Sequence, residues 1–304
     1  MKILYLGTTS FSRIILESLI NEGFDIVSVI TKPDTIVRGK AISTKVAEIA
    51  SNKNIPCYKP LFTKEVSRIA KSLDYDILVC AAYGKILQKE LLDNRLSLNV
   101  HASLLPKYRG ASPIQTALFN DDSITGVTIM KMAEKLDAGP MISLSKIEIL
   151  PEDNFTSLEE KLAHIGAKAL IEVLKDISNG KEIAYIDQDD SMVSYCPLID
   201  SSREHLCFDV PVKTVINTIR ALNYTPSTYA IVNNTAIKIV NAKKSDIIIK
   251  SAIGSVLVTK KNIYLRCLDG SIEILNLQLP GKKVMATSDF LNGYSIIKSE
   301  DVFK

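Results

Sequence analysis

Residues 99–115 read NVHASLLPKYRGASPIQ, and this stretch decides how the rest of the chain is read. An apolar, strand-like run over residues 96–101 stops on Asn-x-His and gives way to a loop carrying Pro, Arg and Gly. The chain has only three histidines, so one at the mouth of a strand asks for a reason. Asn99 and His101 stand two apart, which puts their side chains on one face of a strand. A lone histidine in such a place is most often just a partly buried residue, so the surroundings have to decide.

Outward from that run, strand-like segments at residues 2–7, 25–31, 76–82 and 125–132 alternate with helical apolar spacing at residues 11–21, 44–51, 63–73, 113–119 and 156–177. The last of these has the stripe Leu158, Leu162, Ile165, Ala169, Val173 and Ile177. Buried β-rich runs alternating with amphipathic helices predict an α/β fold, a Rossmann-like and mostly parallel sheet with helices on both faces. In such sheets ligands bind at the C-terminal strand ends, where Asn99 and His101 fall.

After an acid-rich stretch the texture changes. One helix at residues 212–222 precedes hairpin patterns at residues 229–240 around Asn233-Asn234 and 262–277 around Asp269-Gly270. Short strands over about 100 residues predict a small β-barrel, OB-like. The expected division is residues 1–183, a linker at 184–205, and a C-terminal domain at 206–304. Two domains also suit 304 residues, 46% hydrophobic and 23% charged.

Cys57, Cys80, Cys196, Cys207 and Cys267 are scattered, odd in number and free of any CxxC pair. That predicts free thiols in a reducing cytoplasm and no metal site. No apolar run reaches the ~18–20 residues of a membrane span, and MKILYLGTTS turns polar too soon for a signal peptide. Residues 201–304 hold 14 Lys+Arg against 8 Asp+Glu, whereas residues 1–200 hold 23 against 26. A basic C-terminal third suggests a polyanionic partner met by that part.

Where a dinucleotide enzyme would have GxGxxG, this chain has GTTSFS with one glycine, which argues against a nicotinamide or flavin cofactor. Asp137, in EKLDAGP just after the strand at 125–132, could approach the Asn-x-His edge. An imidazole to move a proton, an amide to meet a developing oxyanion and a carboxylate to orient the ring would then form one constellation. The loop at 103–110, with its leucines and proline, would make a rigid apolar wall for a flat ring. His164, beside the apolar stripe, and His205, in the linker, read as structural.

With these residues quoted, the chain resembles the formyltransferase family that uses 10-formyltetrahydrofolate, in particular the branch that acts on methionyl-tRNA. The likeness runs through GTTSF, AAYGKIL (81–87), the opening stretch, TGVTIMKM, LDAGP and LPGKKVM (279–285). It implies transfer of the formyl group of 10-formyltetrahydrofolate to the α-amino group of methionyl-initiator-tRNA, for translation initiation. It implies Asn99, His101 and Asp137 as the catalytic trio, with Ser103, Leu104, Leu105 and Pro106 against the folate and Ala82, Tyr83 and Gly84 lining its ring pocket. The loop at 32–40 would meet the tRNA acceptor end through Arg38 and Lys40. Lys243, Lys244, Lys282 and Lys283 are the expected phosphate contacts of the barrel. No metal, no membrane contact and a monomeric cytoplasmic protein complete the expectation. Departures from the family pattern are Thr9 in place of Pro, a shortened loop at 32–40, Pro140 where an acidic residue commonly follows, and the lack of any Trp. The rival expectations are a formyltransferase acting on a nucleotide amino sugar, which would have less use for a basic C-terminal domain, and a non-catalytic RNA-binding barrel.

Overall fold

The structure is a computed structural model that describes residues 1–37, 39–223 and 225–304, with the main chain alone at Asn94; counts below refer to these. The chain divides into two compact units. The first holds 1–113, 123–149 and 157–197; the second holds 114–122, 150–156 and 198–304.

In the first unit, β1 (Lys2–Gly7), β2 (Asp25–Ile30), β5 (Cys57–Tyr58), β6 (Ile77–Ala81) and β7 (Ser97–His101) run parallel. Strand order is β10-β9-β7-β6-β1-β2-β5, with β9 spanning Ile124–Lys131 and β10 Met141–Glu148. The order reverses between β1 and β6, which opens a crevice at their C-terminal ends. Helices cover both faces. Leu4, Leu6, Leu78 and Cys80 pack with Val66 and Ala70 of α3 (Thr63–Lys71) and with Leu91 and Leu92 of α4 (Lys89–Asn94). On the other face Tyr5 donates to the carbonyl of Ser12 in α1 (Ser10–Asn21), and Gly166 of α6 (Phe155–Ser178) lets that helix approach Val100 and Val127. The buried side of α6 centres on Leu162, Gly166, Leu170 and Leu174. Ile165 and Ile177 of the predicted stripe lie at its margin.

Two features depart from the expected parallel alternation. β9 is antiparallel to β7 even though a helix (Pro113–Phe119) lies between them, and β10, joined to β9 by a loop alone, is antiparallel to β9. Residues 35–42 form a hairpin, β3 (Thr35–Val37) with β4 (Lys40–Ile42), preceding α2 (Lys45–Asn52). The stretch read as a linker also has structure. Up to Pro197 it belongs to the first unit, and β11 (Tyr195–Cys196) pairs with β8 (Arg109–Gly110). No helix is long and apolar enough to cross a membrane.

The second unit is an antiparallel curled sheet, in order β12 (Thr228–Val232), β13 (Thr235–Ser245), β16 (Ser271–Gln278), β15 (Ile263–Arg266) and β14 (Val256–Val258). β17 (Met285–Ala286) adds to β16 and leads into α8 (Thr287–Gly293). The two edges are joined by the chain's last residues. Lys304 exchanges main-chain hydrogen bonds with Ile231, and Phe303 and Asp301 bond Gly254 and Val256. Arg220 of α7 (Val212–Ala221) holds Asp121, which follows α5 (Pro113–Phe119), at 2.9 Å, and Asn223 accepts from Thr156. These contacts bring pieces of the N-terminal half into this unit.

The turn after β1 is filled from within. Thr9 caps α1, Glu159 accepts from the Phe11 main chain at 3.3 Å, and a Cβ on Gly7 would lie 1.6 Å from Ser12 Oγ. The glycine therefore serves close packing of helix on strand. Burial, opposed by the bond from Phe11, holds the Glu159 carboxyl above its ordinary value of 4.5. A raised acid pKa means that the fold gains stability while the group is protonated and loses it as pH rises above that value. Glu159→Gln should therefore raise the melting temperature at pH 7, with the gain shrinking towards zero as pH falls to 4.5; thermal melts of both proteins across that range check it.

Candidate active site

Asn99 and His101 leave the same face of β7, and both are nearly enclosed, 9% and 6% exposed. Because β9 ends at Lys131 opposite Leu98, the chain must return over the sheet to bring Asp137 to them. It does so through residues 132–140, closed by a bond from Lys131 N to Pro140 O of 2.9 Å. Gly139 fits under this return only as glycine, since a Cβ would lie 1.9 Å from the Lys131 carbonyl oxygen. Asp137 sits at φ 47°, a left-handed conformation that a non-glycine residue adopts at a cost.

The three side chains converge. Asp137 Oδ1 accepts from Asn99 Nδ2 at 3.4 Å, and Oδ2 lies 3.7 Å from His101 Nδ1. Oδ2 also accepts from the main-chain N–H of Gly110 at 2.9 Å. His101 Nε2 lies 2.8 Å from the carbonyl of Tyr108, which can only accept, so Nε2 carries a hydrogen. In the neutral ring Nδ1 then presents a lone pair. Taking up a proton there turns its approach to Asp137 into an ion pair. The site thus offers an amide donor, a proton acceptor and a carboxylate that compensates the resulting charge.

The loop after β7 is packed by its own bonds. Ser103 Oγ donates to Lys107 O at 2.5 Å, while Thr128 Oγ1 donates to Ser103 O at 2.7 Å and accepts from Leu105 N at 3.1 Å. Contrary to a wall of exposed leucines, Ser103 and Leu105 turn inward at 1% and 4% exposure, which leaves Leu104 and Pro106 half-exposed. Ala82 and Gly84 are exposed at φ 44° and 73°, but the Tyr83 ring is in the core. Its carbonyl accepts from Thr8 Oγ1 at 3.0 Å, and its buried hydroxyl, pushed up to about 12 by burial, has no partner among the described residues.

Of the expected tRNA contacts, Arg38 lies outside the described residues. Lys40 is exposed on β4. Lys243 is held by Glu273 at 3.2 Å, whereas Lys244, Lys282 and Lys283 make no ion pair among the described residues. Sequence reasoning missed the supporting residues Tyr108, Arg109, Gly110, Gln188, Ser194 and Cys196. Only the YRG in the opening stretch hinted at them. No cluster of three or more His, Cys, Asp or Glu suits a metal ion among the described residues.

Two domain families match the chain: formyl transferase over residues 1–174 and formyl transferase, C-terminal domain, over 198–295. A methionyl-tRNA formyltransferase of Dictyoglomus turgidum is 39% identical over 307 residues, covering 97% of each chain. One from Caldicellulosiruptor saccharolyticus is 38% identical over 99% of each. Among solved structures, HypX from Aquifex aeolicus in complex with tetrahydrofolic acid superposes with a TM-score of 0.72 at 15% identity, over 99% of this chain and 50% of that one. An N-formyltransferase from Helicobacter canadensis in complex with folinic acid and dTDP-3-aminofucose gives 0.68 at 22% identity, over 90% and 98%.

Gly110, at φ 130°, meets the Cys196 carbonyl so closely that a Cβ would lie 2.4 Å from the oxygen. Gly110→Ala should cost about 2–4 kcal/mol in urea unfolding. Gly180→Ala, at φ 71° with nothing within 4 Å, should cost only about 1–2 kcal/mol. Equal losses would mean that the clash at Gly110 is relieved.

Proposed function

The chain belongs to the methionyl-tRNA formyltransferases of the formyltransferase family, and on that premise we propose that Asn99, His101 and Asp137 carry its chemistry. It transfers the formyl group of 10-formyltetrahydrofolate to the α-amino group of methionyl-initiator-tRNA, giving N-formylmethionyl-tRNA for translation initiation. The observation that carries the assignment of residues is the convergence of Asn99, His101 and Gly110 on one carboxylate.

In the reaction a bond forms between the α-amino nitrogen and the formyl carbon, and the bond from that carbon to N10 of the folate breaks. Asn99 Nδ2 donates to the formyl oxygen as negative charge grows on it. His101 Nδ1 takes the proton that the amine loses, because Nε2 is committed to Tyr108, and returns it to the departing nitrogen. Asp137 balances the imidazolium in between. The residues suit the donor: Ala82 and Gly84 present exposed, left-handed main chain, and Leu104 and Pro106 offer partly exposed apolar surface. With Ser103, Leu105 and Tyr83 supporting from beneath, these segments form the folate wall in our reading.

We assign formyl transfer to residues 1–183 and tRNA binding to 206–304, a division supported by the separate family matches. The hairpin β3–β4 carries Lys40. Its base is locked by the pair Lys59–Asp34 at 2.6 Å and the contact Thr31–Thr44 at 2.8 Å. Lys244, Lys282 and Lys283 are the cations left for phosphates, with Lys243 joining only by giving up Glu273. The enzyme works as a cytoplasmic monomer in this reading.

Purified protein offered 10-formyltetrahydrofolate should formylate charged initiator tRNA and leave amino-sugar nucleotides untouched; the reverse preference refutes the acceptor. His101→Ala and Asp137→Asn should each lower kcat by ~10²–10⁴ with tRNA affinity nearly intact. Replacing Lys282 and Lys283 by Ala should reduce the log–log salt slope of tRNA binding by roughly 0.7–0.9 per lost contact, measured by filter binding from 50 to 200 mM salt.

A further inference from the structure

We propose that Gln188, in the acid-rich stretch between the two family domains, is the residue that positions Asp137 for the reaction. This rests on the reading of Asp137 given above and extends it to a segment to which nothing in the sequence assigned a role. Residues 184–187 and 189–192 are exposed, and Gln188 among them turns inward. Its Nε2 donates to the carbonyl of Asp137 at 2.8 Å and to that of Gly139 at 2.7 Å. Its Oε1 accepts from Arg109 Nε at 2.9 Å.

Arginine can only donate and carbonyls can only accept, so the amide has one orientation in which all three bonds exist. Arg109 is itself fixed. It is 1% exposed, Nη2 bonds Asp190 at 3.0 Å, and its main-chain N–H bonds Ser194 at 2.9 Å. A buried cation thus aims the amide, and the amide holds both ends of the turn that carries Asp137. That turn needs holding, because Asp137 is left-handed. Its carboxylate must meet Gly110 N, Asn99 and His101 at once. A shift of about 1 Å in such a group can cost ~10²-fold in rate.

The rest of the same segment acts on the histidine side. Ser194 Oγ accepts from Tyr108 N at 2.9 Å, and Cys196 Sγ donates at 3.2 Å to the Tyr108 carbonyl that also holds His101. Burial, offset in part by a bond from Ser112 and reinforced by Asp137, pushes the Cys196 thiol up to about 11, so it stays a donor at neutral pH. Residues 186–196 therefore strap both halves of the trio, with Gln188 as the contact that reaches Asp137.

Gln188→Glu separates positioning from packing. A glutamate keeps an acceptor for Arg109 and adds a charge partner for it, but its ionised carboxylate has no hydrogen for the two carbonyls. In the full chain, with 10-formyltetrahydrofolate and methionyl-tRNA, kcat should fall by about 10–100-fold while both KM values change less than about threefold. In an Asp137→Asn background, Gln188→Glu should add almost no further loss, since it acts through a carboxylate already removed. Gln188→Leu, which drops all three bonds, should lose kcat to a similar degree and serves if the glutamate variant does not fold. Wild-type kcat in Gln188→Glu, or a loss that multiplies undiminished in the Asp137→Asn background, overturns the proposal. An inactive wild-type enzyme, or an Asp137→Asn variant of full activity, would instead overturn the earlier reading.

Discussion

Everything in the site turns on one carboxylate that three groups from two strands hold. Asp137 faces the amide of Asn99, the ring of His101 and the N–H of Gly110, contributed by β7 and β8. An anion at 12% side-chain exposure is tolerable only when donors replace the water it gives up. Gly110 supplies a neutral one and His101, once protonated, a charged one. The histidine cannot turn away, because Tyr108 keeps its other nitrogen. Charge moved onto the ring therefore stays where the carboxylate can compensate it.

The antiparallel edge makes this arrangement possible. Had β9 run parallel to β7, its following loop would leave at the strand mouths, alongside the loop after His101. Running antiparallel, β9 sends its loop back across the face, so Asp137 approaches Asn99 and His101 from the side. After β1, Glu159 fills the start of α1 and Ser12 occupies the space beneath Gly7. The position where related sheets seat a diphosphate is thereby closed by the protein's own carboxylate.

The sequence reading reached this far unevenly, and the unevenness has a cause. Period and composition are local, so the elements that were read, β13 apart, lie within a few residues of those observed, while α4, β10 and α8 went unread, and Asn99 and His101 share the strand face expected of them. Strand direction is not local: β9 looks the same to a periodicity argument whichever way it pairs. Nor is a strap. DQDDS reads as solvated because Asp187, Asp189 and Asp190 are indeed exposed, and nothing in the run marks Gln188 as turned inward. Arg109 and Gly110 likewise look like loop punctuation until Cys196 and Gln188 are seen against them. The residues that converge on Asp137 could be picked out from the sequence and their supports could not, because a support is defined by its partner.

The same division governs the second unit. Its interior is specified by pairing: Asn223 donates to Asn241 at 2.8 Å, Asn241 to Asn276 at 3.0 Å, and the last residues of the chain tie its two sheet edges together. Such amides are costly unless every one is answered, so they define the packing of this sheet. Its cations follow another rule. Lys282 and Lys283 stand on the turn before β17 with no ion pair among the described residues, while Lys243 on β13 is answered by Glu273. Charges that neutralise each other within the fold add little to a long-range field, whereas unanswered ones on a turn remain available to a phosphate backbone. The net positive charge of this region therefore overstates the field it presents, which the lysines without an ion pair among the described residues carry more than the total does.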